Sequence, residues 1–140
     1  MFEQGMAARH KDSWKSFRSL PLWVQVWVGA ILVPANAAAF LFLDTTAGIW
    51  TAVAAVLVVA SNYPIMLACR GMSRLMSLPH LVIWFPLQLA LLYRLVSDEV
   101  AGIELAFILV ILVINGVSLV FDTVDSWRWC RGERDVPGHG

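Results

Sequence analysis

Four polar residues interrupt long apolar runs of this sequence: Asn62, Gln88, Asn115 and Ser118. Amides and hydroxyls so placed can bond one another or stray backbone carbonyls across a helix interface. They can also line a pocket for a small polar solute. A second group gathers where the runs end: His80, Asp122, Asp125, Arg70 and Arg74. Asp122 and Asp125 form a D-x-x-D pair one helical turn apart, and such oxygen pairs can hold a hard cation. Ion pairing with Arg70, Arg74 and Arg128 is the commoner use of carboxylates at a helix end. His80 follows Pro79 at the start of an apolar run, where capping or headgroup contact is the ordinary role and catalysis beside Asp122 the special one.

Other chemistries lack their parts. Haem within a bilayer needs deep axial ligands, and the histidines are His10, His80 and His139, none of them deep. Cys69 and Cys130 form no C-x-x-C, so zinc-ribbon and disulfide frameworks are excluded; Cys130, beside a membrane and basic residues, is at most an acylation candidate. A proton- or cation-coupled exporter would show an ionisable residue in mid-membrane, and the apolar runs carry none there. No catalytic residue, metal or cofactor is expected.

The elements that must position these groups are legible in composition. The 140 residues suit one domain; 59% are hydrophobic and 14% charged, with net charge zero and mean hydropathy +0.72. Nothing there argues for a nucleic-acid partner. Apolar stretches at 22–43, 48–69, 79–96 and 102–121 each approach the ~20 residues that cross a bilayer core. The sequence therefore predicts an all-α integral membrane protein, a four-transmembrane-helix bundle. A basic leader occupies 1–21, the transmembrane domain 22–121 and a polar tail 122–140.

Charge orients it. Arg9, Lys11, Lys15 and Arg18 precede the first stretch, Arg70 and Arg74 lie between the second and third, and Arg128, Arg131 and Arg134 follow the fourth. The opposite loops hold Asp44, Asp98, Glu99 and Glu104, with Arg94 the one cation on that side. The positive-inside rule then puts both termini in the cytoplasm. Trp14, Trp23, Trp27, Trp127 and Trp129 mark the inner interface, Trp50 and Tyr93 the outer one. Eight Arg against two Lys points to a bacterial inner membrane. The "PANA" at 34–37 imitates a signal-peptidase site, yet the apolar run continues to Leu43, so four spans are expected to remain.

Helical periodicity aligns Glu104, Ile108, Ile111, Asn115, Ser118 and Asp122 on one face of the fourth span. Thr51, Ala55, Asn62 and Cys69 align on the second, and Gln25, Gly29 and Asn36 on the first. Counted from the cytoplasmic ends, Asn62, Gln88 and Asn115 fall roughly 9 to 12 Å deep at 1.5 Å per residue. They are expected to form one polar layer, with Asn36 apart in the outer half opposite Ala55. Pro34, Pro64 and Pro86 free the carbonyls of Ala30, Ala60 and Val82, which the layer could satisfy.

The leader places Ala7, His10, Trp14, Phe17 and Pro21 on one face, flanked by Lys11, Lys15 and Arg18, as in an amphipathic helix lying among anionic headgroups. In the 70–76 loop, Met72, Leu75 and Met76 cluster while Arg70 and Arg74 face away. The tail, rich in Gly and Pro, is expected to be mobile. The leading functional expectation is a non-catalytic accessory or structural membrane subunit, as a homo-oligomer or with a membrane-protein partner. The alternative is an oligomeric transporter or channel for a small solute, using the polar layer. The third is a membrane-surface enzyme built on His80 and Asp122.

Overall fold

The computed structural model describes residues 2–97 and 99–138; Asp98 and His139 fall outside them. Five helices account for most of this chain: α1 (Phe2–Arg18), α2 (Leu22–Leu41), α3 (Thr46–Cys69), α4 (Ser77–Ser97) and α5 (Gly102–Cys130). A 3-10 turn, Arg74–Met76, leads into α4, and there is no strand among the described residues. Four of these helices, counting that turn with α4, are long and apolar enough to cross a membrane. α5 continues as one helix past Phe121 to Cys130, so its last turns carry Asp122, Asp125 and Ser126 on the frame that also holds Asn115.

α2 packs on α3 and α5; α4 packs on α3 and most extensively on α5. Their shared interior is narrow. Leu91, Ile108 and Ile111 are completely buried, together with the polar Thr51 and Asn115. The outward surfaces are Val, Leu, Ile and Phe, with Val59, Val82, Val96 and Val120 largely exposed. Such surfaces would cost heavily in water but not against lipid tails.

α2 is irregular because of Pro34. Residues Trp27–Leu32 form a π-helical segment in which Val33 N–H reaches back five residues to Val28 O, and the helix ends in a 3-10 turn at Ala38–Leu41. A widened turn is a common way to absorb a proline within a helix. The side-chain donors do not go to the carbonyls expected from the prolines. Asn36 Nδ2 bonds Leu32 O at 3.0 Å, Ser61 Oγ bonds Leu57 O at 2.7 Å, and Gln88 Nε2 crosses to Leu112 O at 2.9 Å. Two of these simply reach the carbonyl four residues back, the nearest one on their own helix.

At the end away from the termini, Thr45 caps α3 by accepting from Gly48 N–H at 3.0 Å. A Cβ at Gly48 would overlap the Phe42 carbonyl oxygen, so the tight α2–α3 turn requires glycine there. Glu104 receives Arg94 in a two-pronged pair, at 3.0 and 2.7 Å, and also accepts from Ala47 N–H at 3.0 Å. One carboxylate thus ties α4 to α5 and satisfies a donor in the first turn of α3.

The end bearing both termini is held by a denser mesh. α3 stops with Arg70 in the left-handed region (φ 55°); Gly71 N–H bonds Met66 O at 3.0 Å and Arg70 N–H bonds Leu67 O at 3.3 Å. That is a Schellman ending with arginine where glycine is usual. Glycine is needed one residue later, since a Cβ at Gly71 would stand 2.5 Å from both Ser16 Oγ and Val136 Cγ1. α1 covers this ending. Arg9 donates to Leu67 O at 2.9 Å, Ser13 Oγ to Met66 O at 3.4 Å, and Ser16 Oγ accepts from Met72 N–H at 2.9 Å.

Both terminal segments make specific contacts here. α1 turns its small polar side inward, with Ser13 and Ser16 buried, and leaves Ala7 and Trp14 exposed; His10, also exposed, hydrogen-bonds the Tyr63 hydroxyl. Serines allow the close approach that Trp and Phe would block, and their hydroxyls supply partners for a helix end. The tail is docked as well. Arg74 reaches Asp135 at 2.8 Å and Glu133 O at 3.2 Å, Arg128 pairs with Glu133 at 3.0 Å, and Arg134 stacks on Trp129 at 3.9 Å. Arg74 is accordingly engaged by the tail and largely shielded from solvent. Its guanidinium and that of Arg128 hold the Asp135 and Glu133 carboxyls below their ordinary range.

Candidate functional site

The inward polar residues form three sets along the four-helix core. Asn36 and Asn115 make a reciprocal amide pair: Asn36 Nδ2 donates to Asn115 Oδ1 at 2.8 Å, and Asn115 Nδ2 returns to Asn36 Oδ1 at 3.0 Å. Both are buried, Asn115 entirely. One turn along α5, Ser118 Oγ accepts from Trp27 Nε1 at 3.0 Å. α2 is thereby fixed to α5 at two levels.

The second set lies nearer the termini. His80 Nδ1 sits 2.7 Å from Met76 O, which places the ring proton on Nδ1. Asn62 Nδ2 lies 3.1 Å from Nε2 and 3.2 Å from Nδ1, against the ring. Trp84 tilts against the imidazole with ring centroids 4.6 Å apart. The imidazole is thus held between Asn62 of α3 and the first turn of α4. Ser77, one turn before His80, is buried close to Asp122. Asn62 Oδ1, Trp84 Nε1, Asp122 Oδ2 and Ser126 Oγ are buried without a protein partner.

The third set is the ionic rim. Asp125 lies 3.9 Å from Arg74, which also holds the tail, and Arg70 pairs with Asp12 of α1 at 3.4 Å. Among the described residues no group of three or more His, Cys, Asp or Glu is arranged to hold a metal ion.

The structure therefore brings Asn62 to His80 and Ser118 to Trp27, but it joins Asn62, Gln88 and Asn115 by no direct hydrogen bond. Gln88 spends its amide on a backbone carbonyl of α5. Asn115 turns to Asn36, which counting from helix ends had assigned to a different depth. That count took the fourth span to end at Phe121; α5 runs on to Cys130, so Asn115 stands 15 residues from its end, close to the 14 that separate Asn36 from Leu22. Reading missed Ser13, Ser16, Ser77 and Trp84 as structural partners. The i, i+3, i+7 spacing of Ser77, His80 and Trp84 was the available signal.

Four apolar spanning-length helices around a narrow polar stripe define the class: a multi-pass membrane protein. Comparisons with protein-family models, curated proteins and solved structures returned no match.

Proposed function

We propose that this chain is a non-catalytic membrane subunit whose inward polar residues lock helices together, with both termini in the cytoplasm of a bacterial inner membrane. The observation supporting it most directly is the Asn36–Asn115 pair, in which each amide answers the other in the interior. Asn36 spends both amide hydrogens, on Asn115 Oδ1 and Leu32 O, and each Oδ1 has a donor, so the pair is closed across the interface. The orientation rests on the charge asymmetry. A second reading, binding or passage of a small polar solute in an oligomer, draws on the unpartnered atoms around Asn62, Trp84, Asp122 and Ser126.

Single cysteines at Asn62 and Asn115 separate the two, using a water-soluble thiol reagent applied from the cytoplasmic side. The locked subunit predicts labelling no deeper than Asn62→Cys. Reaction at Asn115→Cys in a folded protein would favour passage and overturn the locking role. A subunit should also carry a membrane partner or second copy through mild-detergent purification, read by native mass measurement.

A further inference from the structure

Docking of α1 fixes which of its sides is free. Arg9, Ser13 and Ser16 hold it to the end of α3. From α2, Gln25 Nε2 caps its other end through Arg18 O at 3.1 Å and Leu20 O at 2.8 Å. The opposite side presents Lys11, Trp14, Lys15 and Arg18 at helical spacings of three and four, all exposed, with the Arg18 guanidinium 6.0 Å from the Trp14 ring centre. The one acidic residue in this stretch of α1, Asp12, is turned to Arg70. Three cations and an amphipathic ring thus share a surface from which the carboxylate has been withdrawn.

An open apolar groove lies on α2, the next helix in the chain. Leu22, Trp23, Val26, Trp27 and Ile31 line an open groove of about 620 Å³ along α2. Phe17 lies between α1's exposed side and α2: its ring centre is 5.8 Å from that of Trp14, and a Cβ at Gly29 would sit 3.8 Å from its Cζ. A basic surface at the headgroup level over an apolar groove running into the hydrocarbon matches a single amphiphile in charge and in polarity.

We propose that α1 and α2 together form a binding site for one anionic phospholipid, its phosphate held by Lys11, Lys15 and Arg18 and an acyl chain lying in the Leu22–Ile31 groove. The inference rests on the reading that the four apolar helices span a bilayer with the basic end at the headgroups. The phosphate and the chain are bound by different elements, so each can be removed separately. Neutralising a surface cation near an anionic headgroup weakens attraction roughly fivefold.

The test is native mass measurement of the full chain in detergent, titrated with phosphatidylglycerol, phosphatidylcholine of the same chains, or inorganic phosphate. The wild-type protein should retain phosphatidylglycerol preferentially. Lys11→Gln/Lys15→Gln/Arg18→Gln should lose at least about tenfold of that retention and leave phosphatidylcholine unchanged. Val26→Trp, which fills the groove at an exposed position, should weaken both lipids.

Equal retention of the two lipids by the wild type overturns the proposal. So does undiminished phosphatidylglycerol retention in the triple variant, or full displacement of the lipid by inorganic phosphate. Should the triple variant fail to fold, the wild-type preference and the Val26→Trp result decide. Membrane fractionation of the wild type is scored separately. A chain that leaves the membrane with a carbonate wash sinks the spanning reading, whereas a membrane-retained chain without lipid preference sinks this inference alone.

Discussion

The parts of α5 up to Ser118 and beyond it treat their buried polar groups in opposite ways, although one helical stripe carries them all. In the first part, Glu104 meets Arg94 and Ala47 N–H, and Asn115 meets Asn36 on both amide atoms. In the second, Asp122 keeps one oxygen and Ser126 its hydroxyl without a protein partner. In a low-dielectric interior a closed pair is stable and an open valence is costly. The first part therefore reads as a set of locks. The second lies beside the ionic rim, where headgroups and water are nearest.

The comparison can be broken by substitution, each variant measured as unfolding stability in mixed micelles. Glu104→Gln should have the largest effect, about 2 kcal/mol, because it removes the charge from a pair that also serves α3. Asn115→Leu should cost about 1.5 kcal/mol by leaving Asn36 Oδ1 unanswered. The double variant Asn36→Leu/Asn115→Leu should regain most of that loss. An additive double variant would mean that the pair is not the lock described.

Ser118→Ala and Ser126→Ala sharpen the contrast within one helix. The first deprives Trp27 of its acceptor and should cost about 1 kcal/mol; the second removes an unanswered hydroxyl and should change stability by less than about 0.5 kcal/mol. Equal costs would erase the distinction between the two parts.

The smallest effect concerns the tail. Asp135 and Glu133 have carboxyls lowered by Arg74 and Arg128. A lowered folded value means that these contacts contribute fully above the unfolded carboxylate value and are lost as pH falls through the folded one. Limited proteolysis of residues 131–138 should stay slow at neutral pH and accelerate below about pH 4. Asp135→Asn should show part of that acceleration already at neutral pH.

Much of the architecture was legible beforehand, and particular residues show why the rest was not. Asn115 was readable as an inward residue, because its neighbours Ile108, Ile111 and Ser118 share its face. Its partner was not, since the span read as ending at Phe121 runs on as helix to Cys130, which sets Asn115 at the depth of Asn36. α1 was readable as a helix, but its apolar side attracted attention where Ser13 and Ser16 make the contact. The tail looked like a flexible segment by composition, and its docking depends on Arg74 arriving from a distant loop.

Sequence alone determined that there are four apolar helices of spanning length, that the cations gather at one end, and which stripe of each helix carries polar atoms. Those properties add up residue by residue along a chain, as transfer free energies and a 100° helical step do. Tertiary structure decided which polar group answers which. A shift of one helical turn, about 5.4 Å, exchanges every partner across an interface. No local sum of side-chain preferences contains that relative displacement; it is set by Pro34, Gly48 and Gly71, and by the packing they permit.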